Sequence, residues 1–285
     1  MKSIISIQSH FVSGYAGNSS AVFPMQKMGM EVWPIHTGQF SDTADTHQLS
    51  LEQPNCSQDI NALMNGLDKA GKLADCGAVL SGYQRNNQQY QSIIDAVTLV
   101  RERNPEALYV FEPEFCVNES MHSMSDEAIN FIKQKLVPLS DAVVLSQCEL
   151  RKLTEQNVES SHQVATACKT VLSMGANMVL VKNFSSQQTD SYNVLLATRY
   201  ASFTARAPKI DFDKKVNGTG SLFSSLFTAC LVRNMLPLES FRHAVHATYG
   251  VLEVTKQQDK CELQIIDAQY EFVEPSHEFG VFKVE

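Results

Sequence analysis

The sequence predicts an α/β fold: a central, mostly parallel sheet flanked by helices on both faces. Short apolar runs of strand length alternate with longer segments of helical period along most of the 285 residues. That alternation implies βαβ crossovers, and hence a largely parallel sheet covered on both sides. Hydrophobic residues make up 44% of the chain and charged residues 19%, which suits a substantial core and argues against disorder. At roughly 150 residues per domain the length admits one large or two small domains. With no repeat, low-complexity tract or linker, a single domain over residues 1–285 is expected.

The elements follow in order. Ile4–Ile7, three isoleucines in four residues, is the first strand. Helix Asn18–Met28 leads to strand Glu31–Ile35, and helix Gln58–Lys72 to strand Ala78–Leu80. Helix Gln88–Arg103 precedes strand Leu108–Phe111, with Asn104-Pro105 punctuating the loop between them. Helix Asp126–Leu136 precedes strand Ala142–Leu145. Helices Glu149–Gln156 and Gln163–Ser173 come next, and Gly175 marks the loop before strand Met178–Val181. Val194–Ala197 is the last predicted strand. Beyond it Leu222, Phe223, Leu226, Phe227, Cys230 and Leu231 recur at helical spacing, and His243 and His246 sit i, i+3 on another helix.

Charge narrows the partners. With 23 Lys+Arg against 31 Asp+Glu, the net charge is 23 − 31 = −8 and the isoelectric point is near 5.5. An acidic balance argues against general binding to nucleic acid or to an anionic membrane. The seven cysteines, Cys56, Cys76, Cys116, Cys148, Cys168, Cys230 and Cys261, form no Cys-x-x-Cys or Cys/His pattern. They are expected to be buried or incidental thiols rather than a zinc site or a disulfide scaffold. The apolar start, Ile4 to Ile7, is too short for a signal peptide, and no run approaches the roughly 20 apolar residues of a membrane span. A soluble, cytoplasmic protein is expected.

Ligands of such sheets sit at the carboxyl ends of the strands. The most informative stretch there is Val216-Asn217-Gly218-Thr219-Gly220-Ser221. A glycine turn opening a buried helix presents N–H groups and the positive end of the helix dipole to an anion. A lone Gly-x-Gly supports a ligand-free turn equally well. Its company is the polar turn Ser9–Asn18 after the first strand, where Ser9 and His10 suit a small polar ring, and Ser81-Gly82-Tyr83, which offers an aromatic plate. Capping by the former and packing by the latter remain alternatives.

Several blocks together resemble one family. Ile7-Gln8-Ser9-His10, Gly14-Tyr15-Ala16-Gly17-Asn18, Phe23-Pro24, Gln39-Phe40-Ser41, Ser81-Gly82-Tyr83, Gly218-Thr219-Gly220 and Glu262–Gln269 look like the pyridoxal kinases of the ribokinase-like superfamily. The likeness runs in register from Ile4 to about Pro275. The N-terminal block is specific to pyridoxal kinases, whereas the glycine loop is shared with sugar and hydroxymethylpyrimidine kinases. The resemblance implies the ribokinase-like fold, a homodimer, and transfer of phosphate from MgATP to the 5′-hydroxyl of pyridoxal, pyridoxine or pyridoxamine. By position, Ser9 would meet the pyridine ring, with Ala16, Phe40 and Tyr83 as walls. Gly218, Thr219 and Gly220 would cradle the phosphate. Lys182, Asp211, Val216 and Thr219 would lie on the nucleotide side, with Val251–Thr255 near the adenine. Glu112 and Glu149 would serve Mg²⁺, beside which a monovalent cation is expected.

The pattern breaks where chemistry would occur. The family's glycine loop ends in Asp, the general base, and this chain has Ser221. An Asp-Pro pair followed by a second Asp reads Glu112-Pro113, then Val117. Asn-x-x-Glu reads Ser146-Gln147-Cys148-Glu149, and the His-Thr of the substrate lip reads Thr43-Ala44. Asp213 and Glu112 are the nearest carboxylates that topology offers as a substitute base. The remaining histidines, the ten methionines and Trp33 read as packing or surface. Two functions therefore compete. One is a slow B6 kinase. The other is a catalytically disabled paralogue that binds a vitamer, pyridoxal phosphate or a nucleotide.

Overall fold

The computed structural model describes residues 2–42, 56–84, 86–116, 124–186 and 189–284. In chain order its elements are β1 (Ser3–Ser13), α1 (Asn18–Lys27), β2 (Glu31–Asp42), α2 (Cys56–Lys69), β3 (Cys76–Ser81), α3 (Asn87–Arg103) and β4 (Leu108–Phe111). There follow α4 (Asp126–Phe131), β5 (Ala142–Ser146), α5 (Gln147–Thr154), α6 (Ser161–Ser173), β6 (Met178–Ser186), β7 (Thr189–Thr198) and β8 (Ser202–Pro208). Helices α7 (Thr219–Val232) and α8 (Pro237–Gln257) and the short β9 (Val281–Val284) complete the chain.

These elements group into two compact units. The first comprises Met1–Tyr109 and Phe212–His277, and the second Val110–Asp211 and Glu278–Glu285. In the first, β1 lies between β2 and β3, parallel to both, with Ile5 opposite Trp33 on one side and Val79 on the other. Ile4, Ile5, Ile7, Ala78 and Leu80 are fully buried, as a strand covered on both faces requires. Helix α7 packs against α1, α8 and β3, and every residue from Ser221 to Val232 is buried. A helix that carries no charged residue and is buried along nearly its whole length is stable only in such a setting.

In the second unit β4, β5 and β6 run parallel, then β7, β8 and β9 add antiparallel strands at the edge. The α/β class and its mostly parallel strands are as the sequence predicts. Strands β8 and β9 were not anticipated. β8 alternates incompletely between buried and exposed positions, and β9 is only four residues, the middle two exposed and the outer two half-buried, so neither carries a strong period. Helix Asp126–Leu136 is α4 followed by one wider π turn, Ile132–Leu136. Among the described residues no helix is long and apolar enough to cross a membrane.

Candidate active site

In the first unit the predicted substrate residues gather at the carboxyl end of β1. Ser9 is buried there, and Gly17 folds back to bridge His10. Gly17 has φ +54, and a Cβ on it would strike the Ser9 carbonyl, so only glycine lets the turn close. The Tyr15 N–H donates to Glu262 Oε2 at 3.2 Å, tying the turn to the C-terminal segment. Phe40 stacks on Phe11, centroids 4.9 Å apart and rings 15° from parallel. Tyr83 stands half-buried just after β3.

The glycine loop joins this cluster. Gly218 has φ +78, and a Cβ there would collide with the Tyr15 carbonyl and lie 3.1 Å from Ala16 Cα. The loop is therefore pressed against the turn that carries Ala16. The first helical bond of α7 runs from Leu222 N–H to the Gly218 carbonyl at 3.0 Å. The N–H groups of Thr219 and Gly220 precede it, with no helical carbonyl to reach, at the positive end of the helix. Ser221, in the same turn, is fully buried.

A polar network that the sequence did not reveal underlies the turn. Asn18 accepts from Ser6 Oγ at 2.7 Å and donates to the Gln8 and Ile35 carbonyls at 3.2 and 3.1 Å. Ser6 Oγ in turn accepts from Gln8 Nε2 at 3.1 Å. Those bonds fix the amide orientation and leave Gln8 Oε1 buried without a partner among the described residues, as are Gln84 Oε1 after β3 and His10 Nδ1. Such orphans are uncommon in folded proteins. Gln8 lies inside the quoted N-terminal block, but only the fold shows that its oxygen is unpaired.

Asn18 also meets His36, with Nδ2 to Nδ1 at 3.0 Å. The His36 pKa is pushed below the usual 6.5, first by partial burial and then by nearby His10. Unfolded His36 therefore binds a proton that the folded state resists. Its stabilising effect is complete above the ordinary value and declines as the pH falls below it. We expect the thermal midpoint to drop between about pH 7.5 and about pH 5.5, with a shallower slope in His36→Asn. An identical slope in the variant would remove His36 from this account.

The second unit carries the charged residues. Glu112, fully buried after β4, pairs with Lys182 Nζ from β6. Glu149 accepts from the Ser146 N–H at 2.7 Å while Ser146 Oγ accepts from the Glu149 N–H at 3.3 Å, a reciprocal cap at the start of α5. Its other oxygen takes the Cys116 N–H at 3.3 Å. Burial pushes the Glu149 carboxyl above its ordinary pKa, opposed by the N–H and hydroxyl groups that point at it. Asp211 is exposed and pairs with Lys209 at 3.0 Å.

In the first unit, Val216 is half-buried. Asp213, exposed, lies 4.0 Å from Lys256 Nζ, a solvent-facing carboxylate. Val251 and Thr255 are buried, and Thr255 Oγ1 donates to the Val251 carbonyl at 2.7 Å. Among the described residues no three His, Cys, Asp or Glu side chains cluster as a metal cage. Val117, Thr43 and Ala44 lie outside the described residues.

One sequence expectation is corrected. Cys116 and Cys148 are joined by a disulfide, with Cα atoms 6.1 Å apart. Cys76, Cys168 and Cys230 are buried free thiols and Cys261 is an exposed one. The side chain of Cys56 is outside the described residues. Spacing alone does not reveal that bond, because 32 residues separate the partners and the fold brings their segments together.

Known proteins resemble this chain in sequence and in fold. A family profile described as phosphomethylpyrimidine kinase matches residues 88–264. Pyridoxal kinase PdxY of Vibrio campbellii is 41% identical over 100% of this chain and 98% of its own. The pyridoxal kinase PdxY of Actinobacillus pleuropneumoniae is 35% identical, with both chains covered in full. Among solved structures, pyridoxal kinase from Leishmania donovani in complex with ADP and pyridoxamine superimposes with a TM-score of 0.90 at 21% identity, covering 100% of both chains. Plasmodium falciparum PdxK with AMP-PNP and PL gives 0.85 at 19% identity, again over 100% of both. These structural likenesses establish the ribokinase-like fold.

Proposed function

This chain belongs to the pyridoxal kinase family, and from that premise we propose that it transfers the γ-phosphoryl group of MgATP to the 5′-hydroxyl of a B6 vitamer, slowly. The observation that carries the reading is the contact of Gly218 with the Tyr15–Ala16 backbone, which sets an anion-binding helix start against a ring-binding turn. Ser9 would bond the pyridine ring, and Ala16, Phe40 and Tyr83 would exclude water around it. The N–H groups of Gly218, Thr219 and Gly220 would hold the phosphoryl oxygens as charge develops. Lys182 would offset phosphate charge, and Asp211 and Val216 would line the nucleotide. A single kinase domain over residues 1–285 is part of the same proposal.

The donor chemistry fits a hard divalent ion. Glu112 and Glu149 supply carboxylate oxygens, and Mg²⁺ takes one or two carboxylates and fills its shell with phosphate and water oxygens. These two residues would hold it, and it would supply charge neutralisation. A monovalent cation beside it, a homodimer and a cytoplasmic location, all implied by family likeness, belong to the same proposal.

Slowness follows from Ser221. A serine hydroxyl is a poor base near neutral pH, and of the two carboxylates weighed as substitutes Asp213 is exposed beside Lys256 and Glu112 is engaged by Lys182. Phosphoryl transfer rests mainly on positioning and charge neutralisation, so turnover should survive the loss. A coupled assay with purified protein, MgATP and each vitamer should show ADP formation dependent on the vitamer. No turnover above the enzyme-free blank at high protein concentration would overturn the kinase reading.

The second reading, a binding protein for a vitamer, pyridoxal phosphate or nucleotide, is favoured by the same Ser221. It predicts a thermal midpoint raised by ligand, by mass action, with no ADP formed.

A further inference from the structure

We propose that Cys116 and Cys148 form a reversible disulfide that sets nucleotide affinity according to the thiol redox state around the protein. The inference rests on the reading that Glu112 and Glu149 serve the metal and phosphate. The bond ties the loop after β4 to the first turn of α5. Glu112 lies four residues before Cys116, and Glu149 follows Cys148 directly. The Cys116 N–H itself donates to Glu149 Oε1. Cross-link and charge-bearing side chains thus share the same two segments.

A permanent staple is the weaker explanation. A chain of this size buries ample core without cross-links, and small secreted domains are the ones that need them. The other described cysteines are unpaired. Burial pushes the Cys76 thiol up to about 11 and Cys230 up to about 12, and raises Cys168 as well, so none of the three offers a thiolate. Cys116 and Cys148 are instead both half-buried, within reach of a small thiol or peroxide. Glu114, between Glu112 and Cys116, has φ +47, a conformation its side chain resists, so the loop has somewhere to relax when released.

The chemistry closes with a dithiol reductant and a hydroperoxide oxidant. A reductant thiolate attacks the Cys116 sulfur, and the S–S electron pair leaves on Cys148. The reductant's second thiol gives up its proton and attacks the mixed disulfide, freeing Cys116 and departing as the oxidised reductant. In the reverse direction the Cys148 thiolate attacks a peroxide oxygen, the O–O bond breaks and an alcohol or water leaves. The Cys116 thiol then displaces the hydroxyl of the sulfenic acid as water.

Released from the bond, the Cys116 loop no longer steadies Glu149. Groups that orient a metal-side carboxylate are worth about 10–100-fold in metal affinity. We expect reduction to raise the KM for MgATP by about tenfold while the KM for the vitamer, whose residues lie in the first unit, stays put. Full-length protein would be treated with peroxide or with dithiothreitol, mapped by non-reducing peptide mass spectrometry, and assayed. MgADP affinity would be measured by calorimetry on the same samples, so that the proposal remains readable even if no vitamer is turned over. The Cys116→Ser/Cys148→Ser double variant should behave as the reduced protein in both treatments, with single Cys148→Ser as the alternative if the double folds poorly. Absence of the Cys116–Cys148 peptide after oxidation would overturn the proposal. So would equal nucleotide affinity in the two states, or a shift that persists in the variant.

Discussion

Replacing Ser221 with Asp is expected to raise kcat for vitamer phosphorylation by about 10²–10⁴-fold, the usual contribution of a positioned general base. The electrostatics of the position favour it. Ser221 is fully buried in the first turn of α7, where the helix N-terminus favours a carboxylate. The bond from Ser224 Oγ runs to the Ser221 carbonyl at 3.2 Å, so the substitution leaves that contact intact. Because the new group would act on a proton that moves only during transfer, kcat and kcat/KM should rise together while the KM for MgATP changes little. Ser221→Ala should resemble the parent, since the hydroxyl is not asked to act as a base. If Ser221→Asp keeps its thermal midpoint and kcat does not move, the remaining charge shell is incompetent and the binding-protein reading gains.

How far the candidate residues are legible in the chain differs from one to the next, for physical reasons. Ser9, Ala16 and the glycine loop were legible because backbone geometry constrains them: Gly17 and Gly218 occupy left-handed conformations that admit no side chain against Ser9 and Tyr15. The buried parallel strands were legible as short, mostly apolar runs. Glu149 was legible in two ways and read in one. Ser146-x-x-Glu149 departs from the Asn-x-x-Glu of the family, yet it is also the signature of a capping box, which is how the fold uses it. What escaped was long-range. Lys182 meets Glu112 across 70 residues because β5 places Ser146 beside Lys182 and pairs with β4 on its other edge. The disulfide and the unpaired Gln8 and Gln84 oxygens have the same origin. Their partners, or lack of them, are fixed by strand order, which local pattern does not encode.

The Lys182–Glu112 pair leads to the largest stability effect expected here. Glu112 is fully buried, and only 15% of the Lys182 side chain remains exposed. Removing the ammonium strands a carboxylate in a low-dielectric interior, which typically costs 3–5 kcal/mol for a buried pair. The residual exposure of Lys182 places the estimate for Lys182→Met at the lower end, about 3 kcal/mol. The urea midpoint should fall accordingly, by about 1 M or more given an ordinary dependence on denaturant. The double variant Lys182→Met/Glu112→Gln separates the two possible causes. If the loss comes from an uncompensated charge, neutralising Glu112 should restore most of the midpoint, since a buried ion pair contributes little net stability beyond a neutral replacement. If it comes from lost packing of the lysine stem, the double variant should be no better than the single. A single variant within about 0.5 kcal/mol of the parent, the range of an ordinary surface substitution, would mean that solvent already screens this pair. Its role would then be confined to the nucleotide, where Lys182→Met should raise the KM for MgATP and leave the vitamer KM unchanged.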